Sequence, residues 1–191
     1  MSAGHPPILA MDAALAARAG AGDARAFRQI YERHAPAVFR FLADMLRDGG
    51  AADEATQETF VRAHGRLSGI REGDKLLSWL FGIARNVALE TLRRGKRTVP
   101  EDDGELERRA TDAPGPEIEL LGREADAALA GALARLSPDR RAALLMYMDH
   151  GMSYGEIAAT MGWSLPKVKI EIHRARLVLR AELATYLGDE A

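Results

Sequence analysis

Residues 153–180 leave the chain few folding options. They read Ser-Tyr-Gly-Glu-Ile-Ala-Ala-Thr-Met-Gly-Trp-Ser-Leu-Pro-Lys-Val-Lys-Ile-Glu-Ile-His-Arg-Ala-Arg-Leu-Val-Leu-Arg. Ser153 with Glu156 three residues on is a capping box, which starts a helix. Ile157, Ala158 and Met161 give that helix one apolar face. Gly162 suits the positive φ at which a helix ends. Ser164 caps a second helix, and Pro166 stands in its first turn, where a missing N–H is harmless. Val168, Ile172, Ala175 and Leu179 then recur as a buried stripe, while Lys169, His173, Arg176 and Arg180 share another face, flanked by Lys167 and Arg174. Two short helices around a tight turn, the second one basic, have the form that docks in a DNA major groove.

The rest of the chain is also helical in character. Aromatic residues make up 6% of its 191 residues, and Ala and Leu dominate, so strand formers are sparse. Residues 97–119 interrupt this pattern with Pro100, Gly104, Pro114, Gly115 and Pro116, and with eight acidic against three basic side chains. So little apolar surface cannot offset the entropy of ordering, and a flexible acidic linker is expected. The fold class is therefore all-α: two small helical domains joined by that linker. The expected limits are a tail over 1–11, a first domain over 12–96, the linker over 97–121, a second domain over 122–187 and a tail over 188–191.

In the first domain, Asp23 caps a helix carrying Phe27, Ile30, Tyr31, Val38, Phe39, Phe41 and Leu42. Pro36 is expected to break or kink it, and Gly49-Gly50 to end it. A helix over 51–67 follows, with Phe60 and Val61 apolar. A loop over 68–74 leads to a helix from about Lys75 to Arg94, with Leu76, Leu80, Ile83 and Val87 on one face and Gly95 as its stop. In the second domain, Leu129, Leu133 and Leu136 mark an amphipathic helix. Ser137-Pro138-Asp139 starts another, with Leu144, Leu145 and Met148 as its core face.

The chemistry-bearing residue types form no active site. The histidines fall in no metal-ligand spacing, and no phosphate-cradling loop, nucleophile elbow or HExxH motif occurs. With no cysteine, disulfides and thiolate metal sites are excluded, which fits a reducing cytoplasm. No membrane span or secretory signal is expected. No enzyme activity, cofactor, metal or small-molecule substrate is therefore expected.

Two non-catalytic clusters remain. Asp53, Glu54, Gln57 and Glu58 make one side of a helix acidic and amide-bearing, either a helix start favoured by the macrodipole or a docking face for a basic partner. Arg85, Arg93, Arg94, Lys96 and Arg97 stand ready for phosphates, and Asn86 for bidentate contact with adenine.

These blocks resemble the extracytoplasmic-function (ECF) group of bacterial sigma-70-type sigma factors. Ala26-Phe27…Tyr31…His34-Ala-Pro-Ala-Val-Phe-Arg-Phe-Leu with Ala52-Asp-Glu-Ala-Thr-Gln-Glu-Thr-Phe60 carries the first match. Ser78-Trp79-Leu-Phe-Gly-Ile83-Ala-Arg-Asn86…Leu92-Arg-Arg carries the second. Ala134-Arg-Leu-Ser-Pro-Asp-Arg-Arg-Ala-Ala-Leu and the helix-turn-helix ending His173-Arg-Ala-Arg176 carry the third. The resemblance implies an alternative sigma factor that directs the RNA polymerase core to specific promoters. It implies partners in the β′ clamp helices and β flap of the core, in promoter DNA and in an anti-sigma factor. On this resemblance Asp53, Glu54, Gln57 and Glu58 bind polymerase. Arg71, Lys75, Trp79, Arg85, Asn86, Arg93 and Arg94 serve the −10 element, where a base flipped from the stack must be held. Ser164, Lys167, Lys169, Ile170, Glu171, His173 and Arg174 serve the −35 element.

The chain departs from the family pattern in places. Ala51, Ala55 and Thr56 replace an acid and larger apolar residues around the acidic patch, and Leu76 replaces a usual Phe. Ile170-Glu171 stands where a small polar residue and an Arg are common. An acid there can accept from cytosine N4, so an atypical −35 sequence is expected. The competing reading is a stand-alone helix-turn-helix regulator on an operator. It accounts for 153–180 but not for the acidic patch, the Trp79–Asn86 block or the acidic linker.

Overall fold

The computed structural model describes residues 8–67, 76–98 and 127–187, with side chains over 11–67, 76–95 and 127–184. Eight helices and no strand occur among these residues: α1 (Ile8–Gly20), α2 (Ala24–Leu46), α3 (Gly49–His64), α4 (Leu76–Thr98), α5 (127–134), α6 (Pro138–Met148), α7 (Tyr154–Met161) and α8 (Leu165–Leu187). They fall in two compact units, one holding the α1–α4 bundle and the other α5–α8. Arg71, Lys75, the loop around them and most of the expected acidic linker lie outside the described residues.

In the first unit α1 turns back on α2 through Gly22, whose φ of +95° excludes an ordinary side chain at little strain. Asp23 caps α2, as expected from the sequence: its carboxylate accepts from the Arg25 and Ala26 N–H groups and from Arg18. Ala26, Ile30, His34, Val38, Phe41, Leu42 and Met45 form the buried stripe of α2. Of the break or kink expected at Pro36, the structure excludes the break. Pro36 lies inside α2 and the helix runs through it. Proline removes one helix hydrogen bond and crowds the preceding turn, at about 3 kcal/mol. Buried residues on both sides of Pro36 outweigh that cost.

Three further boundaries differ from expectation. Gly49-Gly50 opens α3 instead of ending α2. The helix α4 continues through Gly95 to Thr98, since one helical glycine costs only about 1 kcal/mol. The helix α1 begins at Ile8, inside the span expected to be a tail, and buries Leu15, Ala16 and Ala19. Its Asp12, also buried, pairs with Arg33 (2.5 Å) and lies 3.2 Å from His34 Nε2.

His34 makes the first unit sensitive to acid. Burial, the largest influence, holds its imidazole below the ordinary histidine range, with the Asp12 carboxylate acting in the opposite sense. The folded state thus takes up the proton less readily than the unfolded chain. This carries no penalty above about pH 6.5 and a growing one as pH falls below it. Thermal melting across about pH 5–8 is expected to show stability falling with acid, and falling less steeply in His34→Gln.

Aromatic edges join α2 to α3: Phe27 meets Phe60 and His64, and Tyr31 meets Phe60 at 4.8 Å between centroids. Leu76, Leu80, Ile83 and Val87 of α4 are buried as their spacing requires. Val61 is 68% exposed, since its neighbour Phe60 takes the inward position.

The second unit is built around α8, about 34 Å long from its 23 residues. Val168, Ile172, Ala175 and Leu179 are all buried, the stripe read from the sequence. Ser153 and Glu156 form the capping box of α7 reciprocally, and Gly162 ends that helix at φ +63°. The Ser164 hydroxyl accepts from the Lys167 N–H at the start of α8. Arg141, itself buried, donates to the Leu133 and Ala134 carbonyls at the end of α5. Leu129 and Met148, expected in the core, are 39% and 56% exposed. Both stand near helix ends, where the apolar face runs past the packed surface; Leu144 and Leu145 are buried as expected, and Met146 joins them in place of Met148. Ser153→Ala removes the hydroxyl bonds of the capping box, leaving only the backbone N–H of residue 153 on Glu156, and is expected to cost about 1 kcal/mol, read from denaturant unfolding by far-UV circular dichroism.

Candidate nucleic-acid interface

Three surfaces carry the expected site residues. The first lies on α3. Its inward side is small: Ala52, Ala55, Thr56, Thr59 and Ala63 are buried, and the two threonine hydroxyls donate to the Ala52 and Ala55 carbonyls, both at 2.7 Å. Two of the family departures, Ala55 and Thr56, thus belong to the core and leave the outer face untouched. Asp53, Glu54 and Gln57 are exposed on that face. Glu58 differs from them, because its carboxylate accepts from Arg62 Nε at 2.7 Å. Arg62 also donates in bidentate fashion to Glu90 of α4, at 2.9 and 2.8 Å. This bond holds Glu90 below the usual carboxylate range. Arg62 therefore fastens α3 to α4 and fixes Glu58 at the edge of the acidic face. A groove of about 300 Å³ between the two helices is lined by Glu54, Glu58, Glu90, Arg62 and Arg94.

The second surface is a cleft of about 350 Å³ lined by Arg62, Arg66, Arg85, Asn86, Glu90 and Arg93, with Ile83 and Leu89 as its apolar wall. Asn86 is exposed, and its carbonyl oxygen accepts from Arg85 Nη1 at 3.3 Å. That bond orients the amide. Several guanidinium groups around an oriented amide suit a phosphate and a base edge together. Trp79 is half-buried on α4, and Arg93 and Arg94 are exposed. Arg62 and Arg66 were not among the residues expected here. The Glu58–Arg62 spacing of four was visible in the sequence, but their convergence on Asn86 needs the packing of α3 against α4.

The third surface is the outer side of α8. Ser164, Lys167, Lys169, Ile170, His173 and Arg174 are exposed along it, Ile170 at 50%. Neighbouring groups position two cations. Lys167 Nζ sits 4.4 Å from the Trp163 ring centroid. The Arg176 guanidinium lies 4.7 Å from the Tyr147 ring, which stacks on Tyr154 at 4.9 Å and 8°. The hydroxyl bond between the tyrosines lowers the pKa of Tyr147 and raises that of Tyr154. Glu171 stands apart from the exposed row, with a side chain only 16% exposed. It accepts from Arg140 of α6, at 2.7 Å, and from Arg174 at 3.2 Å. The Arg140 bond above all keeps its carboxyl below the usual range.

Among the described residues no group of side chains is arranged to hold a metal ion, and no helix is long and apolar enough to cross a membrane. Two family models match the chain: sigma-70 region 2 over residues 30–98 and sigma-70 region 4 over residues 126–179. The chain belongs to the ECF sigma factors. It is an alternative sigma factor that directs RNA polymerase. The ECF RNA polymerase sigma factor SigE of Mycolicibacterium smegmatis is 33% identical over 167 residues, covering 85% of this chain and 63% of that longer protein. The sigma factor CnrH of Cupriavidus metallidurans is 35% identical over 183 residues, covering 90% of this chain and 94% of that one. The structure of CnrH in complex with the cytosolic domain of CnrY superposes with a TM-score of 0.68 at 29% identity, over 92% of this chain and 98% of that one. RpoE of Bartonella quintana, crystallised with the anti-sigma factor NepR, superposes with a TM-score of 0.64 at 26% identity, over 83% and 96%.

Proposed function

We propose that this ECF factor divides its work among the three surfaces. The exposed acids Asp53 and Glu54, with Gln57 and the Arg62-held Glu58, dock on the basic β′ clamp helices of the core. The α4 cleft receives the −10 element, with Asn86 reading a displaced base and Arg85, Arg93 and Arg94 meeting phosphates; Trp79, Arg71 and Lys75 belong to the same element. The α8 face, from Ser164 to Arg174, enters the major groove at the −35 element, beside the β flap. Residues 12–96 and 122–187 are the two functional domains, and 97–121 is an acidic tether between them. The polymerase performs the chemistry, so the factor needs no catalytic group or cofactor. Its place of action is the cytoplasm. An anti-sigma factor is a partner suited to covering these charged faces, by analogy with the complexes of its relatives.

The observation that carries this reading is the separation of charge: an acidic outer face on α3, an arginine-lined cleft beside it, and a basic face on α8. A protein that merely bound an operator has no use for the first. In vitro transcription with bacterial core polymerase on a library of random promoters tests it. Initiation is expected only when the factor is present, from templates sharing two spaced elements, and Asn86→Ala is expected to lose preference at one base of the downstream element by about 1–3 kcal/mol. No promoter-dependent initiation, together with tight binding of the factor alone to a palindrome, would establish the stand-alone regulator instead.

A further inference from the structure

The recognition helix carries an acid in its second turn, Glu171. A lone carboxylate facing DNA repels phosphates, and one that reads cytosine N4 must offer an oxygen outward. Glu171 is not such a lone acid. Oε2 accepts from Nε of Arg140 at 2.7 Å, with Nη2 in ion-pair contact at the same distance, and Oε1 accepts from Nη1 of Arg174 at 3.2 Å. To turn toward a base, Oε2 would have to leave Arg140, and Oε1 could accept further only beside Arg174. Arg140 is itself only 27% exposed, so its abandonment would leave a half-buried cation unpaired. Arg174, in contrast, is 60% exposed and reaches the acid through a single nitrogen. The three side chains together carry one positive charge. Arg140 comes from α6, so the network also fixes α6 against the recognition helix.

We infer that Glu171 is a positioning residue: it holds Arg140 and Arg174 in one Arg–Glu–Arg chain on the outer side of α8, and base preference passes through Arg174 and not through the acid. The inference rests on α8 being the upstream-element reader.

The test uses holoenzyme assembled with wild type, Glu171→Ala, Glu171→Gln, Arg174→Ala or Glu171→Ala/Arg174→Ala, on promoter DNA randomised across the upstream element. Glu171→Gln keeps the side chain's shape and one acceptor oxygen, and melting of each variant reports its folding. Both Glu171 variants and Arg174→Ala are expected to lose preference at the same base pairs, by about tenfold, and the double variant to lose no more than the worse single one. A merely structural acid would lower melting and leave the base profile unchanged, which overturns the inference. So does loss of preference in a Glu171 variant at a base pair that Arg174→Ala still distinguishes, because the acid then reads that base directly. If wild-type holoenzyme selects no upstream element, the promoter-reading role of α8 fails, and that result is separate from any difference between variants.

Discussion

Replacing Asp53 and Glu54 together by alanine is expected to weaken binding to the polymerase core by about 2–4 kcal/mol, roughly 30- to 1000-fold. Both side chains are exposed on α3. Their removal leaves the buried row of Ala52, Ala55, Thr56 and Thr59 intact, so the helix should remain folded. Charges that meet a basic partner lose most when truncated where the interface excludes water. Glu58→Ala is expected to have a smaller direct effect on docking, because its carboxylate is already engaged by Arg62. Titration of labelled factor into core polymerase by fluorescence anisotropy, at two salt concentrations, separates the cases. Wild-type affinity should fall with salt, and that of the double variant should fall less steeply. Equal affinity for wild type and double variant would remove α3 from the polymerase interface.

Phe41→Ala is expected to cost the first unit about 3–5 kcal/mol. Phe41 and Phe81 are both fully buried, with ring centroids 5.1 Å apart, and they join α2 to α4. The loss comes from transfer free energy and from a cavity that a close-packed core closes only in part. A domain's whole stability is about 5–15 kcal/mol, so α1–α4 would be close to unfolding at growth temperature. Denaturant unfolding followed by circular dichroism should show an early transition in the variant. Phe41→Leu, which keeps most of the volume, should recover much of the difference. If Phe41→Ala costs under about 1 kcal/mol, the α2–α4 seam is not the centre of that core.

The second unit was readable from the chain in most details. Ser153, Glu156, Gly162 and Ser164 act through neighbours one to four residues away, and their caps and left-handed turn form as local rules require. The α8 stripe is a matter of periodicity alone. Where expectation and structure part, a long-range contact decided the outcome. Pro36 should break a helix on local grounds, and the packing of α2 overrides it. Met148 and Leu129 fit an apolar period but stand past the packed surface.

From the residues themselves came the all-helical class, the acidic patch, the basic recognition helix and the family resemblance, because each depends on residue type and short spacing. Which of those charges face outward was settled by the tertiary fold. Glu58 is held by Arg62, and Arg62 in turn by Glu90, 28 residues further on. Arg176 rests on Tyr147, and Glu171 is joined to Arg140, 31 residues before it. No helical period pairs residues so far apart. Their meeting follows from α3 packing near α4 and α6 against α8, and it joins the acid of α8 to two arginines.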